Sequence, residues 1–330
     1  MKNAYAKKKQ QLQAFIAGKK RLSLSSGQCC ITIHPTEFSL AYTRNTMDKL
    51  VLEFYATYPY DSQEGLKERL AAIVKQYQLK RVDCSCVLAP QDYQLIQMDE
   101  LPVKANEFQA AIRWKIKDSL RFPLDDVVIE KFDIPVGKNS ISQKMMVVAA
   151  QRSHLQKISD DIKASGLKLS VIDIPELALR NMMALSEQTD QTLALVYLQN
   201  SIIQLLITYQ KKLYFSRSLE FGWGGLSQST PEDLTRHIEQ LAGEIHRSFD
   251  YYEGQWRQPA PTQVAFAATT LISTETLSQL SKSLALPVQW LNFGDKFVTN
   301  QEMDFAQQGK YLPIIGELFR REYERDASAS

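Results

Sequence analysis

Four groups of residues in this chain have types and spacings that chemistry can use. Gly222, Gly224 and Gly225 crowd together just ahead of Thr230-Pro231. Backbone without side chains lets N–H groups approach a phosphate, and the same residues also make an ordinary tight turn between a strand and a helix. The four cysteines come as Cys29-Cys30 and as Cys84 and Cys86. On strands the first two point to opposite faces and the second two share one. Neither pair has zinc-ligand spacing, so they read as buried thiols, with a metal site built from both pairs as the alternative. Asp125-Asp126 follow a proline turn and Asp160-Asp161 lie in a helical pattern, where solvated faces explain them better than acid–base pairs. His237 and His246 share a helix without carboxylates that demand a metal. There is no Gly-x-Ser-x-Gly elbow and no His-Glu-x-x-His pair. The inventory predicts no catalytic residues and no metal.

The elements that would position these residues repeat. Over 191–219, Leu193, Leu195 and Tyr197 alternate with Ala194, Val196 and Leu198, and Gln204–Tyr209 and Leu213–Leu219 follow as further β-rich runs. Near-continuous apolar runs suit strands buried on both faces. Cys29–Ile33, Phe38–Arg44 and Lys49–Thr57 show the same strand–turn–strand–turn–strand layout about 160 residues earlier, too far apart for a solenoid and suited to two similar halves facing each other. Between them the pattern predicts a helix over Ser62–Tyr77 with Ser62 as N-cap, and strands at Val82–Ala89 and Tyr93–Met98. A helix over 104–121 follows, with Phe108, Ala111, Ile112, Ile116 and Leu120 as its core face. Trp114 lies off that stripe, so it packs on a neighbouring subdomain or marks a contact site. Strands at Val127–Ile134 and Lys144–Ala150 come next. A helix over Ser153–Ser165, capped by Ser153 and closed by Gly166, precedes a strand at Lys168–Ile174 and a helix at Glu176–Leu185. Thr230 caps the longest helix, Pro231–Trp256. Its stripe of Leu234, Ile238, Leu241, Ile245, Phe249, Tyr252 and Trp256 is either a self-assembly seam or a face packed on a sheet. A strand at Val264–Ala268, a helix at Thr274–Leu284, a strand at Val288–Leu291 and a helix within Pro313–Arg321 complete an α/β pattern.

Composition bounds the rest. A chain of 330 residues is long enough for two domains, each with its own core. With 44% hydrophobic and 23% charged residues and a net charge of +2, it has no bulk attraction to nucleic acid or membrane. No apolar run reaches the roughly 18 residues of a membrane span. Met1–Arg21 lacks the apolar core of a secretory signal, so the expected location is cytoplasmic. Residues 1–27 carry Lys2, Lys7, Lys8, Lys9, Lys19, Lys20 and Arg21 and no acid. That arm reads as flexible, or as a weak tether to an anionic membrane surface at about 1 kcal/mol per basic residue.

Four segments carry a resemblance: Phe108–Phe132, Val171–Asn181, Leu241–Trp256 and Tyr311–Arg320. With the order of elements, they make the chain similar to the actin/Hsp70/FtsA superfamily over residues 28–322. More narrowly it resembles the PilM-like proteins of type IV pilus assembly, in their MSHA-biogenesis (MshI) branch. The resemblance implies a two-lobed actin-like fold, a duplicated ribonuclease H-like unit with a small inserted subdomain of FtsA 1C type. The implied boundaries are an arm over 1–27, a first lobe over 28–189 with the insert at about 90–140, a second lobe over 190–308, and a C-terminal helix over 309–330 that returns to the first lobe. The superfamily holds ATP on two turns, each with an Asp followed closely by Gly, and on a glycine-paired adenosine loop. Here Thr32 stands for the first acid and His34 for the glycine, with Pro35 removing a donor. Tyr197 and Gln199 lie in the second turn, and Ala268 and Thr269 in the adenosine loop. These departures imply a pseudo-ATPase without cofactor. The alternatives are a switch that binds ATP with magnesium through other ligands, and a self-assembling actin-like module. The resemblance also implies a scaffold at the cytoplasmic face of the bacterial inner membrane, part of a pilus assembly platform, with no nucleic acid partner. It would grip the N-terminal tail of a PilN-like membrane protein in a groove beside Trp114 and Phe132.

Overall fold

The computed structural model describes residues 27–46, 50–61, 65–104, 106–135, 143–186, 191–220, 230–299, 302–321 and 323–324. The basic arm before Gly27, the Gly222–Gly225 stretch and Ser62 lie outside the described residues.

The first half opens with β1 (Gly27–Ile33), β2 (Glu37–Asn45) and β3 (Leu50–Pro59), then α1 (Leu66–Gln76) and β4 (Asp83–Val87). An insert follows: β5 (Tyr93–Asp99), α2 (Phe108–Ile116), β6 (Val127–Asp133) and β7 (Lys144–Gln151). The half closes with α3 (Arg152–Ala164), β8 (Lys168–Asp173) and α4 (Pro175–Ser186). The second half contains β9 (Thr192–Leu198), β10 (Ile203–Tyr209), β11 (Lys212–Leu219), α5 (Pro231–Trp256), β12 (Val264–Ala268), α6 (Thr274–Leu284) and β13 (Val288–Trp290). Last come β14 (Val298–Thr299) and α7 (Phe305–Leu318).

The two halves share one topology. The first sheet runs β14-β3-β2-β1-β4-β8 and the second β11-β10-β9-β12-β13. In each, three antiparallel meander strands are followed by two parallel ones on the far side of the first strand. β14 joins the first sheet beside β3, so the chain leaves the second lobe before residue 309. Every residue of β9 and β10 is buried. The pleat divides them: Ala194, Val196 and Leu198 pack with α5, while Leu193, Leu195 and Tyr197 pack with α4 and α7. α7 lies in a core with Cys30, Leu52 and Val87 of the first sheet and Tyr197, Ala265 and Ala267 of the second. It therefore joins the two lobes.

Local rules account for both ends of α5. Thr230 accepts from the N–H of Asp233 at 3.2 Å and Pro231 is the first residue of α5, while Arg257 closes it in a left-handed conformation. The stripe from Ile238 to Trp256 is buried against the second sheet. Those side chains are consumed inside the molecule and form no seam for self-assembly.

Several ends differ from the sequence reading. The helix expected over 104–121 is shorter at both ends, since α2 covers Phe108–Ile116 and a separate turn of 3-10 helix follows at Lys117–Ser119. α1 starts at Leu66 behind Gly65. Ser153 is not a cap but lies inside α3. Its N–H and Oγ both donate to Asp126, at 3.0 and 2.6 Å, so a carboxylate from the insert caps this helix across space. α7 begins at Phe305 with a capping box of Asp304 and Gln307, two turns before Pro313, which sits in its interior. An interior proline leaves the carbonyl four residues earlier, Gly309, without a helical donor. Tyr197 Oη donates to that carbonyl at 2.9 Å. Gly309 also permits the approach itself, since a Cβ there would meet Ala268 O at 1.8 Å.

Candidate functional site

The positions read as nucleotide turns are occupied by groups with structural work. Thr32 is buried near the end of β1, in register with Ser39 and Val87. His34 opens the β1–β2 turn, where its N–H donates to Glu37 O at 2.8 Å. Burial pushes its imidazole pKa below the usual value. Tyr197 is buried on β9 and tied to α7. Ala268 lies under Gly309, and the Thr269 N–H donates to Leu198 O at 3.0 Å. The structure thus brings Tyr197, Ala268 and Thr269 to one end of the second sheet. Thr32 and His34 lie on the other lobe.

Gln199 leads into a network that sequence reasoning did not anticipate. Its Nε2 donates to Gln204 Oε1 at 3.3 Å, and Gln204 Nε2 donates to Glu176 Oε1 at 3.2 Å. Tyr93 Oη donates to Glu176 Oε2 at 2.6 Å. Glu176 is 2% exposed, and burial pushes its carboxyl above the usual range. One carboxyl therefore links the insert at β5, the first lobe at α4 and the second lobe at β10. In the sequence Glu176 reads only as a first-turn acid behind Pro175.

The insert is a three-stranded antiparallel sheet, ordered β5-β7-β6, with α2 on one face. Ile112 and Ile116 pack on Val127, Ile129, Met145, Val147 and Ala149. Trp114 projects from the other side of α2, 69% exposed, with Lys117 Nζ 4.8 Å from its ring centroid. Phe132 is half-buried on the opposite face of the sheet, packed against the cores of both lobes. The two residues do not line one groove, because alternation along β6 sends Phe132 away from the helix that carries Trp114.

The concavity beside the insert lies elsewhere. A groove of about 820 Å³ runs between the insert and the second lobe. Gln97, Met98 and Asp99 of β5 form one wall, and Phe215, Ser216 and Arg217 of β11, with Arg247 and Tyr251 of α5, form the other. Gln97 Nε2 donates to Tyr251 Oη across it at 3.3 Å. Its charges are unevenly matched. Lys144 holds Asp99 at 2.6 Å. Arg217 and Arg247 share the single carboxylate of Glu244, which they hold below its usual pKa, Arg247 contributing most. Lys115, at the end of α2, has no ion pair among the described residues. Tyr251, next to the buried stripe of α5 and 48% exposed, is the residue whose position off that stripe signals the groove.

Two lobes of one repeated sheet topology, joined through a shared helical core and carrying a small αβ insert in the first, define a two-lobed actin-like protein. Residues 46–234 match the family described as type IV pilus assembly protein PilM, and the chain belongs to that family. Among solved structures it is similar to a PilM–PilN type IV pilus biogenesis complex. Identity is 15%, coverage 89% of this chain and 98% of that one, and the TM-score 0.67. It also matches a Bacteroides thetaiotaomicron protein with an actin-like ATPase fold, at 10% identity, 89% and 98% coverage and a TM-score of 0.49. A third match is the cytoplasmic domain of EpsL, an inner-membrane component of the Vibrio cholerae type II secretion system, at 12% identity, 88% and 95% coverage and a TM-score of 0.44. A search of curated proteins gave no significant match. No helix among the described residues is long and apolar enough to cross a membrane.

Proposed function

We propose that the protein is a docking scaffold of type IV pilus assembly, of MSHA type, at the cytoplasmic face of the inner membrane. It binds the N-terminal cytoplasmic tail of a single-span, PilN-like membrane protein and hydrolyses no nucleotide. The groove between the insert and the second lobe carries this reading, because its mixed polar and apolar lining, drawn from both walls, suits an extended chain. The family and the fold shared with a PilM–PilN complex support the choice of partner. The turn residues do not fit a magnesium nucleotide. Neither Thr32 nor Tyr197 offers a carboxylate, and the nearby Glu176 is buried and committed to Tyr93 and Gln204. Titrating the full chain with a synthetic tail peptide tests the scaffold reading. Saturable binding that Tyr251→Ala weakens and Trp114→Ala leaves alone places the tail in the groove, whereas the reverse places it on the outer face of α2. Absence of binding removes the scaffold reading. Calorimetry with ATP and magnesium is expected to show no saturable heat, and micromolar binding overturns the pseudo-ATPase.

A further inference from the structure

The outer face of α2 gathers apolar side chains that no core consumes. Val103, Trp114 and Leu124 are three of the seven large hydrophobic side chains exposed among the described residues, and all three lie on α2 or on the turns that flank it. Local bonds bring those turns to the helix. The Phe108 N–H donates to Lys104 O at 3.1 Å, which ties the Val103 turn to the start of α2. Arg113 donates to Leu124 O at 2.9 Å, which holds the Leu124 turn beside the residue that precedes Trp114. Ala110, one helical turn before Trp114, is exposed and small, so the indole stands proud of the helix. Apolar surface gathered in this way marks a contact face.

The charge around the indole says what kind of contact. Lys104, Lys115, Lys117 and Arg121 have no ion pair among the described residues, and Lys117 Nζ lies 4.8 Å from the Trp114 ring centroid. Arg113 spends its guanidinium on the carbonyls of Leu124 and Val127. From Phe108 to Phe122 the sole acid is Asp118, and Glu107 and Asp125 lie just beyond those ends. Tryptophan rings favour the headgroup level of a bilayer, and lysine and arginine beside them reach the phosphates. We infer that the outer face of α2 seats directly on an anionic bilayer surface, with Trp114 among the headgroups and Lys117 and Arg121 on their phosphates. The groove also touches Lys115, one position from Trp114, so it adjoins the lipid-facing side. Nothing in this contact depends on the tail-receptor reading beyond the presence of a membrane, and vesicles without a partner protein test it.

Binding of the full chain is measured by sedimentation with vesicles of mixed phosphatidylglycerol and phosphatidylcholine, and with phosphatidylcholine alone. A second set of vesicles carries bromine on the acyl chains, and the fluorescence lost by the wild type less that lost by Trp114→Phe isolates the signal of Trp114. Bromine is expected to quench most of that signal on anionic vesicles and to leave it unchanged on neutral ones. Trp114→Ala is expected to weaken vesicle binding about fivefold, from the loss of apolar surface at the interface. Lys117→Glu with Arg121→Glu is expected to weaken it about tenfold or more at low salt and less at high salt. Lys115 is left in place because it lines the groove. These side chains are exposed, so circular dichroism and thermal melting are expected to match the wild type. Sedimentation with anionic vesicles while Trp114 stays unquenched assigns the lipid to the basic arm alone and overturns the contact through α2. Equal binding of the wild type and the charge-reversed variant overturns it as well, as does absence of vesicle binding. If Trp114→Ala weakens the tail-peptide titration while vesicles leave Trp114 unquenched, the face is a protein contact and the lipid assignment falls. None of these vesicle outcomes touches the receptor reading, which the peptide titration decides by itself.

Discussion

Tyr197→Phe tests how the two lobes are held together. The Gly309 carbonyl is buried in α7 and has lost its helical donor to Pro313, so Tyr197 Oη at 2.9 Å is the donor that replaces it. Removing the hydroxyl leaves a buried carbonyl unpaired, at a cost of about 1–3 kcal/mol. With a urea slope of about 3 kcal/mol/M, the midpoint falls by about 0.3–1 M at constant slope. The reasoning makes a sharper demand through a second substitution. Pro313→Ala restores an N–H four residues after Gly309, so the helix itself can satisfy the carbonyl. In that background Tyr197→Phe is expected to cost less, with a coupling of about 1 kcal/mol in a double-mutant cycle. Urea unfolding of the four proteins, followed by fluorescence and circular dichroism, measures it. Identical costs in both backgrounds would refute the exchange of donors, whatever the size of the single-mutant effect.

Further outcomes follow from the same core. Gly309→Ala and Gly316→Ala place a Cβ 1.8 Å from Ala268 O and 2.2 Å from Ala178 O, so each is expected to cost about 3 kcal/mol or more by forcing α7 off its neighbours, read by thermal melting. Asp126→Ala removes the cap that reaches α3 through Ser153 and is expected to lower the melting temperature slightly, with faster amide exchange confined to the first turn of that helix. Glu317 is buried on α7, with Arg320 Nε 3.2 Å away; burial, followed by the charge of Asp173, pushes its carboxyl from 4.5 up to about 9. The folded state then keeps a proton that the unfolded chain releases, so this group's contribution is complete below pH 4.5 and is lost as the pH rises toward 9. Glu317→Gln is expected to flatten that decline in a pH series of urea midpoints, and an unchanged slope would refute the assignment.

What the amino-acid order determined is local. Near-continuous apolar runs marked β9 and β10 as strands buried on both faces, and the Thr230-Pro231 cap with its apolar stripe located α5 from end to end. That Thr32, His34, Tyr197 and Gln199 are neither acids nor glycines is read directly from the sequence. Tertiary structure decided everything that depends on a distant partner. Pro313 stops a helix by local rules, yet it sits inside α7, where Tyr197, 112 positions before Gly309, supplies that carbonyl with the bond the proline ring removes. Ser153 looks like a cap, yet Asp126 provides it from another element. Trp114 and Phe132 look like companions in sequence, but the pleat of β6 puts a sheet between them. Which strands end a sheet among the described residues is decided by strand order, and the groove needs α2 and α5 placed beside them as well. Period-two patterning shows the faces of a strand and is silent about its neighbours.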